Sequence, residues 1–107
     1  MEIQWDGDVL TARLTGEIDH HSAGELRRQI DEAVERGHPR ELHLNFERVS
    51  FMDSSGVGLI MGRYRLMGTL NGTLRVEAVP PSLEKMMKLA GLERLPVWNT
   101  VCERKRV

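Results

Sequence analysis

The stretch Phe51-Met52-Asp53-Ser54-Ser55-Gly56-Val57-Gly58-Leu59-Ile60-Met61-Gly62-Arg63-Tyr64-Arg65 constrains the fold of this chain more than any other. It reads as a tight turn feeding directly into a helix. Asp53, Ser54 and Ser55 stand at the start, where a helix presents unpaired backbone N–H groups. Val57, Ile60, Met61, Tyr64 and Met67 follow at the i, i+3, i+4, i+7 spacing of a face packed on a core. An exposed turn bearing hydroxyls on a rigid support suits a residue that another protein must reach, modify and read.

The flanking chain supplies a sheet for that helix to rest on. Met1 to Trp5 and Val9 to Leu14 alternate apolar and polar residues around Asp6-Gly7-Asp8, a hairpin pattern with Ile3, Trp5, Leu10, Ala12 and Leu14 facing inward. Gly16 to His21 reads as a polar connection. Ser22 with Glu25 three residues later is a capping-box pattern. It predicts a helix with Ala23, Leu26, Ile30, Ala33 and Val34 on its buried face, stopped by Gly37 and Pro39. Leu42, Leu44 and Phe46 alternate with polar residues as a third strand running into the central turn. Beyond the central helix, Gly68 to Gly72 breaks the pattern and Leu74 to Val79 reads as a fourth strand. Ser82 caps a third helix with Leu83, Met86, Met87 and Ala90 on one side and Gly91 at its end. Leu92, Leu95 and Val97 suggest a short last strand, and from Trp98 onward the chain offers at most a turn of helix and a basic tail, Arg104-Lys105-Arg106.

Strands alternating with helices predict an α/β fold, one domain over residues 1–107. Its sheet is mixed and mostly parallel, with four to five strands, an N-terminal hairpin and three main helices. Gly58 and Gly62 lower the helix propensity of the central segment by roughly 2 kcal/mol together relative to alanine. A close approach of that helix to the sheet or to a neighbouring element is therefore expected.

Several function classes are disfavoured. With 15 basic and 16 acidic residues the net charge is -1, and Lys85, Lys88, Arg104, Lys105 and Arg106 are not interleaved with aromatics. Neither direct DNA binding nor a membrane surface is indicated. The acidic start lacks a basic-then-apolar leader, and no apolar run approaches spanning length, so a cytoplasmic protein is expected. The single cysteine, Cys102, has no internal partner for a disulfide. The pattern G-x-S-x-G fails for both serines, because Met52 and Asp53 stand two positions before them. His20 and His21 are adjacent and point apart in most backbones, with no second ligand cluster, so no metal or other cofactor is called for. Gly56-x-Gly58-x-x-x-Gly62 with Glu77 downstream approaches a dinucleotide fingerprint, but its spacing is off by one and no G-K-[ST] follows. A nucleotide-binding domain is the competing class. A serine before a helix is by default a cap.

Leu14-Thr15-Gly16-Glu17-Ile18-Asp19-His20-His21-Ser22-Ala23, taken with Phe51 to Gly58 and Gly62-Arg63-Tyr64, resembles the anti-sigma factor antagonists of the STAS superfamily. The likeness is greatest to their sporulation branch and covers the chain from the hairpin to about Val97. The resemblance implies a phosphorylation switch in partner choice, with no catalysis by the chain itself. The first serine of D-S-S-G is the family's phosphoacceptor, which corresponds to Ser54. The modifying enzyme is the anti-sigma factor, an ATP-using serine kinase. Unphosphorylated antagonist binds it and frees a sigma factor, and a PP2C-type phosphatase resets the phosphorylated form. Asp19, His20, His21, Asp53, Ser54, Ser55 and Gly56 are the implied partner-binding residues. A STAS module of another regulatory assembly is a further alternative. Relatives close with an amphipathic helix that this sequence does not obviously encode.

Overall fold

The computed structural model describes residues 1–95. Four strands form one sheet in the order β1-β2-β3-β4. Strand β1 (Glu2–Asp6) pairs antiparallel with β2 (Val9–Ile18), while β3 (Glu41–Met52) and β4 (Thr73–Glu77) add in parallel. Helix α1 (His20–Gly37) connects β2 to β3, α2 (Ser54–Thr69) connects β3 to β4, and α3 (Pro81–Leu89) follows β4. The expected α/β class, mixed sheet, hairpin and three helices are all present. The last strand is not: Leu92–Arg94 forms a 3-10 turn in which Leu92 is buried. Val97, the closing tail and the expected lack of a final helix all fall outside the described residues.

Alternation explains the core. Leu10, Ala12 and Leu14 of β2, Leu42, Leu44 and Phe46 of β3, and Leu74 and Val76 of β4 are buried together beneath α1 and α2. Ile3 and Trp5 share that face through their register with Ala12 and Leu10, yet they remain 36% and 46% exposed because β1 is the sheet edge. Trp5 also explains Gly37. A Cβ there would sit 2.3 Å from the indole Cη2, and the left-handed residue that ends α1 is instead His38, at φ 50°. Helix α3 has no side-chain cap: Pro80 is its N-cap and Pro81 its first residue, so Ser82 does not serve. Ala90 is exposed rather than part of the buried side.

The buried face of α2 is turned from the expected one. Gly56, Leu59, Ile60, Arg63 and Met67 are buried, whereas Val57, Met61 and Tyr64 only flank the core. Arg63 causes the difference. Its guanidinium is directed at α1, where Nε stands 2.9 Å from Oδ1 of Asp31, a contact not aligned as a hydrogen bond. Burial pushes the Asp31 carboxyl up and the Arg63 guanidinium down, each opposed by the charge of the other. Removing one partner leaves the other charge buried and unmatched, whereas an apolar replacement needs no partner. Asp31→Asn is therefore expected to lower the unfolding free energy in urea by about 2 kcal/mol. The pair Asp31→Asn with Arg63→Met should recover most of that loss.

A second polar cluster links β3 to β4. His43 places Nε2 2.8 Å from Glu41 and Nδ1 3.3 Å from Glu77, and Asn45 donates to Glu77 at 3.0 Å. Arg75 Nε lies 3.4 Å from Glu41. The contact with Glu77, followed by that with Glu41, raises the His43 pKa against the opposing effect of burial. A raised pKa in the folded state adds stability that is fully present below the unfolded value and is lost as pH rises through the folded one. Thermal melts of the parent should therefore decline from pH 6 to pH 8 more steeply than those of His43→Gln.

Candidate functional site

Two strand-to-helix junctions lie side by side at the carboxyl ends of β2 and β3. Ile18 and Met52 are register partners, and the Asp53 N–H donates to the Ile18 carbonyl at 3.1 Å. One residue joins strand to helix in each case, Asp19 before α1 and Asp53 before α2, and both are N-caps. The carboxylate of Asp19 accepts from Ser22 N at 2.9 Å, while Ser22 Oγ accepts from Asp19 N at 3.0 Å. The capping box thus runs from Asp19 to Ser22 rather than from Ser22 to Glu25, and α1 begins at His20. Glu25 instead pairs with Arg28 at 2.6 Å. The Ser22 backbone N–H holds the Asp19 carboxyl below the usual carboxylate range. Asp53 accepts from Ser55 N at 2.8 Å through its side chain and from Gly56 N at 3.0 Å through its carbonyl.

Ser54 is the first residue of α2, exposed, and not itself the cap. Ser55 is half-buried and lines a cleft of about 370 Å³ between α1 and α2 with His20, Ala23, Gly24, Arg27, Gly58 and Leu59. The structure therefore brings His20 and Ser55 together on one surface, with Asp19, Asp53 and Ser54 at its edge. His21 is also exposed on the first turn of α1. Gly56 packs inward: a Cβ would lie 2.1 Å from Cγ of the buried Met52, so glycine is required by contact. Gly58 and Gly62 contradict the expected close approach, since a Cβ at either meets nothing within 4 Å. Their space is open to the outside. Arg27 and Gly24 belong to the same surface and were not singled out from the sequence. Gly24, a glycine in the second turn of an amphipathic helix, was the available signal.

The glycine-rich stretch does not form a phosphate-cradling loop. Gly56, Gly58 and Gly62 all lie within α2, and the Ser55 and Gly56 N–H groups are already bonded to Asp53. The nucleotide-binding alternative thus loses the loop it needed. Among the described residues no group of three His, Cys, Asp or Glu could hold a metal, and no helix is long and apolar enough to cross a membrane.

The sequence profile of the STAS domain matches residues 1–103. This chain belongs to the STAS family. It is 36% identical over 100 residues to an anti-sigma F factor antagonist of Paenibacillus polymyxa, covering 92% of this chain and 86% of that one. Its fold resembles the unphosphorylated anti-sigma factor antagonist SpoIIAA at 35% identity, with a TM-score of 0.78 over 87% of this chain and 82% of that one. It also resembles phosphorylated SpoIIAA of Bacillus, again at 35% identity, with a TM-score of 0.70 over 87% and 85% of the two chains.

The STAS domain thus rests its two helix starts on aspartate caps. Replacing an aspartate N-cap by alanine costs about 1 kcal/mol, and asparagine keeps the acceptor oxygen. Asp53→Ala should lower the unfolding free energy by about that amount in urea titration, and Asp53→Asn should stay within about 0.5 kcal/mol of the parent.

Proposed function

We propose that this STAS domain is an anti-sigma factor antagonist working as a phosphorylation switch, with Ser54 as the acceptor. In its unphosphorylated form it binds a cytoplasmic anti-sigma serine kinase and frees the sigma factor. Phosphorylation of Ser54 ends that binding, and a PP2C-type phosphatase restores it. The chain itself catalyses nothing. The observation that carries this reading is the exposed Ser54 hydroxyl at the first position of α2, between two aspartate caps, in a fold like those of the unphosphorylated and phosphorylated forms of SpoIIAA.

The local electrostatics support a change of partner rather than a change of fold. A phosphate adds roughly -1.5 to -2 charges, and at a helix N-terminus the macrodipole favours it. The protein around it should keep its structure. An approaching partner meets that charge beside Asp19 and Asp53, and a tenfold loss of affinity needs only about 1.4 kcal/mol. His20, His21 and Ser55 complete the surface that the kinase would cover, while Gly56, buried against Met52, shapes the turn beneath it rather than meeting the partner.

The test is intact mass after incubation with ATP and an anti-sigma F kinase, with Ser54→Ala alongside. The parent should gain one phosphate and the variant none, and the phosphorylated form should melt close to the parent while no longer binding the kinase. A phosphate on both proteins would reassign the acceptor to Ser55. A marked fall in melting temperature on phosphorylation would refute the local account.

A further inference from the structure

Three features meet in the cleft between α1 and α2, and the switch residues do not account for any of them. Gly24 and Gly58 line it from opposite helices, with Ala23 and Ser55 as its other small residues. Neither glycine has a positive φ, and a Cβ at either meets nothing within 4 Å. The chain's own packing therefore does not require glycine there, and helix propensity disfavours it. What the glycines do provide is depth, allowing the backbone of another molecule to approach closely.

The second feature is charge. Among the described residues no carboxylate lines the cleft, whereas His20 and Arg27 do. Arg27 is exposed and makes no hydrogen bond or ion pair among the described residues. One helical turn farther along lie Asp31 and Arg63, both close enough to feel the Arg27 charge. Glu35 acts on Asp31 as well, and Arg63 Nη1, buried, has no hydrogen-bond partner. Arg27 is thus the cation that lines this end of the cleft without an ion pair of its own among the described residues. The third feature is continuity, because the other end opens at Ser55, next to the proposed acceptor.

We infer that the cleft between α1 and α2 is a docking groove for an acidic segment of the anti-sigma kinase, which lays small or aliphatic residues over Gly24 and Gly58 and sets a carboxylate against Arg27. This rests on the antagonist reading above and extends it from the acceptor to a specificity surface two turns along α1. It also gives phosphorylation an electrostatic target. A partner that brings a carboxylate into the groove is one that a phosphate on the neighbouring Ser54 repels.

The experiment is isothermal titration of the full chain into purified anti-sigma F kinase from Paenibacillus polymyxa, using the parent, Gly58→Ala, Gly58→Leu, Arg27→Glu, Arg27→Lys and, as a control at the far end of α1, Arg36→Glu. Gly58→Leu and Arg27→Glu should each weaken binding by about tenfold or more, while Arg27→Lys and Arg36→Glu stay within about threefold. Melting temperatures of Gly58→Ala and Gly58→Leu should equal or exceed that of the parent, which separates a blocked groove from a damaged fold. Parent-like binding by Gly58→Leu and Arg27→Glu, with binding abolished in Ser54→Asp, would overturn the groove while leaving the switch standing. Failure of the parent itself to bind would overturn both.

Discussion

One hydrogen bond, from the Asp53 backbone N–H to the Ile18 carbonyl at 3.1 Å, sets the geometry on which the candidate site depends. It extends the parallel pairing of β2 and β3 one residue past Met52, so the two strands end level. Each strand then turns into its helix through a single aspartate. Two helix N-termini consequently emerge as neighbours, separated by roughly the 4.8 Å spacing of adjacent strands at their base. Residues over thirty positions apart in sequence, Asp19 and His20 on one side and Ser54 and Ser55 on the other, share a surface for this reason. Parallel sheets commonly place ligand sites at the carboxyl ends of their strands, and the proposed partner surface lies at that end.

Below that surface the helices are fixed to each other and to the sheet by contacts of different kinds. Gly56 lets α2 settle onto Met52, and the Arg63–Asp31 pair ties α2 to α1 a little farther along. The tie is costly in desolvation and modest in net stability, but a charge pair has a preferred register that apolar packing lacks. The cleft between α1 and α2 lies between this tie and the two helix starts, and no side chain of the described residues fills it.

The fold was largely legible because alternation in β2, β3 and β4 reports burial directly, and in α1 the spacing found the core face, with Ile30 and Val34 buried and Ala23, Leu26 and Ala33 packed partly buried against the core. Several local readings went astray, and four of them for reasons that are instructive. Ile3 and Trp5 have the pattern of core residues, but periodicity does not distinguish an edge strand from a central one. Asp19 was read as part of a connection because Ser22 and Glu25 also satisfy a capping pattern, and only the end of β2 at Ile18 decides between them. Arg63 was left out of the α2 stripe because a charged residue counts as outward unless a partner is known, and Asp31 lies on another element. Gly58 and Gly62 were assigned to internal contacts, whereas the free space around them shows that such contacts are absent. Each of these errors concerns what lies opposite a residue, which is tertiary information. The turn from β3 into α2 was legible because hydroxyls, carboxylate and helix start are contiguous in sequence.

The same caps explain why a phosphate at Ser54 would act outward. A bare helix N-terminus neutralises an anion through its free N–H groups. Here Asp53 already takes the N–H of Ser55 with its carboxylate and that of Gly56 with its carbonyl. A phosphate on Ser54 gains the diffuse attraction of the helix dipole but few direct donors, and it lies beside a carboxylate that is itself held in place. Most of its charge must be balanced by water and salt. A partner that covers the site removes that water, and the cost of doing so then falls on binding rather than on folding. Under the proposed switch, the occupied cap would leave the domain indifferent to the modification and its partner sensitive to it.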